Sequence, residues 1–198
     1  GLYINGHVTG NSPYLTFEWK AGKDGEHHEV KTQLIGEYNF ANALAAVTIG
    51  HFFDVESGKI DTALKEYTPQ NNRSQLKQTA DNTLIIDAYN ANPTSMQASI
   101  SNFHNMEIDN KMLILGDMRE LGKDGPKEHQ KIVDFLTECG FKDVMLVGEQ
   151  FAAARHDFPT YPDAPAVIEA LQKNKPHGKT ILIKGSNGIK LSTVIDYL

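Results

Sequence analysis

The sequence lacks several features that define common classes of protein. It contains 198 residues but a single cysteine, Cys139, so it can form neither an internal disulfide nor a cysteine-cluster zinc site. No apolar run approaches the roughly 20 residues that cross a bilayer, and the first residues show neither the basic leader nor the apolar core of a signal peptide. Lys and Arg total 19 against 25 Asp and Glu, which argues against a nucleic-acid or anionic-membrane surface. We therefore expect a cytoplasmic protein without a nucleic-acid partner or membrane insertion.

The length predicts one domain together with part of another, because 198 residues are many for one small α/β domain and few for two. The chain opens on Gly1 rather than Met, so we expect it to be a piece of a longer protein. The sequence TPQNNRSQ (68–75) has no periodicity and consists of polar or helix-breaking residues. We interpret it as the linker between the first third of the chain and the remainder, which follow different patterns.

The part before the linker reads as a hairpin followed by helices. Two predicted strands, Tyr14–Lys20 and Glu29–Leu34, flank the turn AGKDGEHH, whose two histidines we expect to be solvated. Apolar residues at helical spacing predict a helix within EYNFANALAAVTIGHFF (37–53). A second helix is predicted over Asp61–Tyr67, with Gly58 as a helix breaker before it.

The part after the linker alternates short apolar runs with helical patterns. Such runs suit strands buried on both faces of a parallel sheet, and they are Thr83–Asp87, Lys111–Leu115, Asp143–Val147 and Thr180–Lys184. Asn92 and Pro93 predict the N-cap and first position of the helix after the first strand. The apolar pattern from Leu191 to Leu198 predicts a last helix. The alternation predicts an α/β fold with an open, doubly wound sheet.

In such a sheet, ligands bind beyond the carboxyl ends of the strands, and here the turn DAYNANP (87–93) carries the densest polar chemistry. Asp87 ends a buried strand and needs a partner, which could be protein or ligand. The default roles are a turn or cap for Asn90 and Asn92, and a solvated side chain for Arg73. The GKT at 178–180 is not a phosphate-binding loop, because Lys173 occupies the position of the required earlier glycine. The residues alone predict a polar ligand site and no metal site.

Five features occur in an order that resembles one known family. They are GEYNFANALAA, Arg73 in the linker, DAYNANPTSM, GDMRELG and LIKGSNG. In this order they resemble the Mur ligases, the ATP-dependent enzymes that build the peptide of the bacterial cell-wall precursor, from about Leu34 to the C-terminus. The forms YNANP and GDMxELG are most similar to the branch that adds D-alanyl-D-alanine to UDP-N-acetylmuramoyl-tripeptide.

The resemblance implies a domain assignment. Residues 1–74 would be the C-terminal part of the central ATP-binding domain, a β-hairpin plus helices, and residues 75–198 the Rossmann-like, mostly parallel C-terminal domain. The phosphate loop, the metal ligands and a carbamylated lysine would all lie upstream. The resemblance therefore implies that ATP and Mg²⁺ are bound mainly by the missing part. It also implies that these 198 residues contain no catalytic residue or metal ligand, and that they are inactive alone.

The resemblance also implies site residues. Asn39 and Asn42 would contact the adenine, Arg73 the phosphate and Asp87 the ribose of ATP. Their chemistry fits, because amides pair with base edges, a guanidinium suits phosphate and a carboxylate suits paired hydroxyls. Further residues would face the incoming dipeptide, the last two as candidates for its carboxylate: Tyr89, Asn90, Asn92, Lys184 and Ser186.

The implied reaction forms an amide bond. ATP would phosphorylate the terminal carboxylate of the tripeptide and leave as ADP. The amine of D-alanyl-D-alanine would then attack the acyl phosphate and release inorganic phosphate. The C-terminal domain would position the amine and exclude water, with the linker as hinge. We expect a monomer. Two alternatives remain open, another ligase of the superfamily such as folylpolyglutamate synthase, and a non-catalytic module that binds a small ligand.

Overall fold

The computed structural model describes residues 3–23, 25–70 and 72–198. Gly1, Asp24 of the predicted hairpin turn and Asn71 of the predicted linker lie outside the described residues. The chain divides into two compact units, Gly1–Pro69 and Gln70–Leu198. Arg73 therefore belongs to the second unit, whereas the boundary implied by the family resemblance lies after residue 74.

The first unit is a three-stranded antiparallel sheet with two helices. The strands β1 (Ile4–Asn11), β2 (Tyr14–Ala21) and β3 (His28–Ile35) lie in that order, followed by α1 (Phe40–Phe52) and α2 (Ser57–Glu66). Every second residue of β2 is buried, which places Leu15, Phe17 and Trp19 in a core shared with α1 and α2. The predicted β2–β3 hairpin and the helix after it are confirmed. β1 was not predicted, because INGHVTGN contains two glycines and few strand-forming residues.

Two expectations for the first unit were wrong. Gly58 does not break the helix but lies in the first turn of α2, where backbone N–H groups have no intrahelical partner and glycine costs little. Of the two histidines expected to be solvated, His28 is half-buried in β3. Its ring stacks on Trp19 with centroids 4.3 Å apart, and its Nδ1 lies 2.8 Å from Oδ2 of Asp61. This buried carboxylate explains why the histidine leaves the turn.

The second unit is built on a six-stranded sheet in the order β4-β5-β9-β6-β7-β8. Its strands are β4 (Gln75–Gln78), β5 (Thr83–Asp87), β6 (Lys111–Gly116), β7 (Val144–Val147), β8 (Thr160–Tyr161) and β9 (Thr180–Lys184). The edge strand β4 runs antiparallel to β5, and the other pairs are parallel. The prediction of an α/β fold with a mostly parallel sheet is confirmed.

Helices follow most strands of this sheet. They are α3 (Pro93–Asn105), α4 (Gly125–Glu138), α5 (Glu149–Ala153) and α6 (Ala164–Lys173). The last predicted helix is a 3₁₀ segment, Leu191–Tyr197, although its apolar residues are buried as expected. Leu191 with Val194, and Ile195 with Leu198, are three residues apart, which fits three residues per turn. Across the described ranges, no helix is both long and apolar enough to cross a membrane.

The carboxyl ends of β5, β9 and β6 are adjacent along the sheet. The parallel register sets Asp87 beside Lys184 and Leu115 on the other side of Lys184. Glycines follow directly at Gly116 and Gly185, and a Cβ added at Gly185 would lie 3.0 Å from Cα of Gly116. This close approach requires that Gly185 lacks a side chain.

Candidate functional site

The carboxylate of Asp87, at the end of β5, is the centre of a hydrogen-bonded cluster. Its Oδ2 accepts hydrogen bonds from Nζ of Lys184 at 2.6 Å and from Oγ of Ser99 at 3.2 Å. Its Oδ1 accepts the backbone N–H of Ser74 at 3.3 Å. The sequence predicts that Asp87 needs a partner, and the protein supplies one in Lys184. The Asp87 side chain is nevertheless 16% exposed.

Lys184 is held in this cluster. The residue is only 1% exposed, and its Nζ also lies 3.4 Å from the backbone oxygen of Asn90. A lysine so deeply buried needs a charged partner, and the strand register provides Asp87. The predicted contact of Lys184 with the dipeptide carboxylate remains a prediction, but its ammonium already has two partners in the protein.

Arg73 and Tyr89 form a stack beside the cluster. Cζ of Arg73 lies 3.7 Å from the centre of the Tyr89 ring, and Tyr89 is 47% exposed. The residues on either side of Arg73, Asn72 and Ser74, have φ values of 58° and 46°, a left-handed conformation that is costly for non-glycine residues. The Arg73 side chain is thus exposed but held in one orientation by the Tyr89 ring. The backbone N–H of the next residue, Ser74, connects this part of the chain to Asp87.

The two asparagines of the DAYNANP turn make local hydrogen bonds. Oδ1 of Asn90 accepts the N–H of Ala91 at 2.8 Å. Asn92 is the N-cap of α3, with its Oδ1 accepting the N–H of Ser95 at 2.8 Å in a reciprocal capping box. The predicted N-cap is confirmed. Both bonds use only the side-chain oxygen, and both residues are exposed.

Ser186 is buried where three turns meet. Its Oγ accepts the N–H of Arg119 at 2.8 Å and donates to the backbone oxygen of Ala91 at 3.4 Å. Its own N–H donates to the backbone oxygen of Asp117 at 3.2 Å. The loop after β6 lines a cavity of about 370 Å³, together with residues that follow β7. Ser186 therefore holds together the loop after β6, the DAYNANP turn and the turn after β9.

Asn39 and Asn42, in the first unit, lie side by side at the start of α1. Nδ2 of Asn39 donates to the backbone oxygen of Ile35 at 2.9 Å, and its Oδ1 accepts from Nδ2 of Asn42 at 3.3 Å. Their three-residue spacing places both amides on one helix face. Asn42 is exposed, so its amide oxygen can accept a hydrogen bond from a ligand.

Two partners of Asp87, Ser99 and Ser74, were not predicted from the sequence. Ser99 could have been found, because it is a buried polar residue among Met96, Ile100 and Phe103 of α3, all of which are buried. A serine inside an apolar stripe needs a hydrogen-bond partner. Ser74 contributes its backbone N–H, which leaves no signal in the sequence.

Other reactive groups lie away from this cluster. Burial, and to a lesser extent the charge of Glu138, raises the pKa of the Cys139 thiol, which keeps it protonated and a poor nucleophile at neutral pH. Within the ranges that the structure describes, no group of three His, Cys, Asp or Glu side chains could hold a metal ion.

Known proteins are similar to this chain in sequence. The family model described as "Mur ligase, glutamate ligase domain" matches residues 72–187. The UDP-N-acetylmuramoyl-tripeptide–D-alanyl-D-alanine ligase of Bacillus subtilis is 29% identical over 203 aligned residues, which cover 93% of this chain and 44% of the relative.

Two solved structures have the same fold. MurF from Acinetobacter baumannii superposes with a TM-score of 0.80 at 25% identity, over 98% of this chain and 44% of that chain. MurF ligase from Thermotoga maritima, solved in complex with ADP, superposes with a TM-score of 0.78 at 17% identity, over 99% of this chain and 45% of that one. The chain thus spans less than half the length of these relatives.

Proposed function

Because this chain belongs to the Mur ligase family, we propose that it forms part of an ATP-dependent ligase that joins D-alanyl-D-alanine to UDP-N-acetylmuramoyl-tripeptide in the cytoplasm. The reaction named for the Bacillus subtilis relative supports this dipeptide addition over the glutamate addition of a folylpolyglutamate synthase. The observation that carries the proposal is the cluster at the end of β5, where a guanidinium stacked on a ring lies beside an anchored carboxylate.

The residues of this cluster fit a nucleotide. Arg73 has no carboxylate partner among the described residues, and stacking on Tyr89 leaves the N–H donors at the edge of its guanidinium available for phosphate oxygens. Asp87 can accept ribose hydroxyls at Oδ1, because the lysine and serine bonds use Oδ2. For Asn39 and Asn42 we propose hydrogen bonds with the adenine edge.

The dipeptide is proposed to contact the turn after β5. Tyr89, Asn90 and Asn92 are exposed there, and both amides retain Nδ2 donors beyond the local bonds that they make. Ser186 remains a proposed neighbour of the dipeptide carboxylate through the loops that it joins. The part played by these residues is to orient the amine for its attack on an activated carboxylate.

Mg²⁺ is proposed to accompany ATP and to neutralise charge on the phosphate oxygens. The described residues hold no cluster of metal ligands, so we propose that the ion is held mainly by residues outside this chain. These 198 residues also contain no GxxxxGK[ST] segment. We therefore expect the chain alone to release no phosphate. The active protein is proposed to be a monomer.

The test uses the full-length natural protein that contains these 198 residues. We expect phosphate release that requires ATP, UDP-N-acetylmuramoyl-tripeptide and D-alanyl-D-alanine together, and none when glutamate replaces the dipeptide. Turnover with glutamate but not with the dipeptide would identify a glutamate ligase instead. Nucleotide binding without phosphate release under any combination would indicate a binding module.

The site residues are tested by substitution in the same protein. We expect Arg73→Ala and Asp87→Ala each to raise the KM for ATP about tenfold or more, since each removes a charged hydrogen-bonding group. The matched control is Glu169→Gln, a change at an exposed position of α6. Normal ATP affinity and turnover in both site variants would contradict their assigned roles.

A further inference from the structure

The two oxygens of the Asp87 carboxylate have different surroundings. Oδ2 receives the ammonium of Lys184 and the hydroxyl of Ser99, at 2.6 and 3.2 Å. Among the described residues, Oδ1 receives only the backbone N–H of Ser74, at 3.3 Å. A carboxylate oxygen can accept two hydrogen bonds, so Oδ2 is fully used while Oδ1 retains capacity for a ligand.

The position of Lys184 within the fold produces this asymmetry. Its Cα is paired with that of Asp87 in the parallel register of β5 and β9, and Leu115 of β6 flanks it on the other side. The lysine side chain is 2% exposed. If the ammonium moved away to contact a ligand, the partly buried carboxylate of Asp87 would lose its cation, which would destabilise the protein.

We propose that Lys184 is a positioning residue for Asp87, which fixes the carboxylate through Oδ2 so that Oδ1 faces the nucleotide, and that it does not bind the dipeptide carboxylate. This inference rests on the proposed function, because it takes the ligand of Asp87 to be the ribose of ATP. It replaces the role predicted for Lys184 from the sequence. The contact of Nζ with the Asn90 oxygen, at 3.4 Å, also ties the DAYNANP turn to the same ammonium.

The experiment compares Lys184→Met, Asp87→Asn and the double variant in the full-length protein. A fluorescent ADP analogue gives the Kd, and steady-state kinetics give the KM for ATP and for D-alanyl-D-alanine separately. We expect Lys184→Met to weaken ADP binding about tenfold and to leave the KM for the dipeptide unchanged. The double variant should bind ADP no more weakly than Asp87→Asn alone, because Lys184 acts through Asp87.

Two further variants complete the comparison, the first of them as a matched control. Lys179→Met removes a lysine just before β9, where Nζ pairs with Asp143 at 2.8 Å near the surface, and it should leave ADP affinity unchanged. Ser99→Ala removes the second group on Oδ2 without removing a charge, and it should weaken ADP binding by roughly two- to fivefold. If Lys184→Met does not fold, the comparison of the double variant, in which both partners are neutral, with Asp87→Asn carries the test.

Opposite results overturn the proposal. An increased KM for the dipeptide with unchanged ADP affinity in Lys184→Met would identify the lysine as a dipeptide ligand. Additive losses in the double variant would show that it acts independently of Asp87. A wild-type protein that binds ADP but shows no dipeptide-dependent turnover would refute the proposed function, while the ADP affinities of the variants would still decide the role of Lys184. Absence of ADP binding by the wild type would refute both.

Discussion

The side chain of Arg73 is oriented by a single aromatic residue. Its guanidinium lies 3.7 Å from the ring centre of Tyr89, in a segment that is itself joined to Asp87 through Ser74. An exposed arginine would otherwise sample many rotamers, and each must be given up when a ligand binds. The stack therefore lowers the entropic cost of binding phosphate.

We expect Tyr89→Leu to weaken ADP binding by about two- to fivefold, since an exposed cation–π contact contributes roughly 0.5–1 kcal/mol. Tyr89→Phe keeps the ring and serves as the control, with affinity close to that of the wild type. The measurement is titration of the full-length protein with a fluorescent ADP analogue. If Phe weakens binding as much as Leu, the hydroxyl rather than the ring is the important group.

For single residues, the sequence predicts the position of a polar side chain in the sheet better than it predicts that side chain's partner. Asp87 and Lys184 both end apolar runs, so their place at the carboxyl edge of the sheet followed from the pattern. Their mutual ion pair did not, because it depends on β9, the last strand in the chain, inserting between β5 and β6. Strand order in an open sheet is a property of the whole fold and is not contained in any single run.

The start of α3 combines a structural role with a proposed binding role. Asn92 caps the helix through Oδ1. Among the described residues, its Nδ2 donates no hydrogen bond to another side chain. A side chain can therefore stabilise the helix with one atom and contact the dipeptide with the other. Substitutions that remove one atom at a time separate the two roles.

We expect Asn92→Ala to lower the free energy of unfolding by about 1 kcal/mol, the usual effect of losing an N-cap, while Asn92→Asp retains stability because aspartate caps equally well. Urea denaturation followed by circular dichroism measures this difference. In the full-length enzyme, Asn92→Asp should raise the KM for D-alanyl-D-alanine, because it lacks the Nδ2 donor. An unchanged KM would leave Asn92 with the capping role alone.

The ends of β6 and β9 depend on glycine for their close approach. A Cβ at Gly185 would lie 3.0 Å from Cα and 3.1 Å from N of Gly116, and these backbone atoms belong to a buried strand end. We expect Gly185→Ala to destabilise the second unit by about 1–3 kcal/mol, the cost of overpacking. Gly58→Ala is the control, because in the described part of the chain no atom outside its own helix turn and neighbouring residues lies within 4 Å of its added Cβ, and alanine favours the helix. Equal stability of Gly185→Ala and wild type in urea would contradict this account.

Elements with strong patterns were predicted, and weakly patterned ones were missed. The four buried parallel strands are nearly continuous in apolar residues, whereas the edge strand β4 (QLKQ) has one apolar residue and β8 has only two residues. Edge strands make fewer packing contacts and so need less apolar character. β4 and β8 are placed by pairing with the neighbouring strands β5 and β7, and the local sequence does not encode this pairing.

Each of the two units of the molecule has its own hydrophobic core. In the first unit the core includes Phe17, Trp19 and Val47, and in the second unit the sheet packs against α6 and the final 3₁₀ segment. Units with separate cores can unfold separately. Trp19 is the only tryptophan in the chain and is 1% exposed, so its fluorescence reports on the first unit alone.

We therefore expect two transitions when the 198-residue chain unfolds in urea, with different midpoints by tryptophan fluorescence and by far-UV circular dichroism. Val47→Ala should lower the fluorescence midpoint, because it removes about 2 kcal/mol of packing from the first core and none from the second. Gly185→Ala should move the part of the circular dichroism transition that belongs to the second unit and leave the fluorescence midpoint unchanged. The two substitutions act as controls for each other, since each alters one core. A single transition, reported alike by both probes and shifted by either substitution, would mean that the two units unfold as one cooperative body.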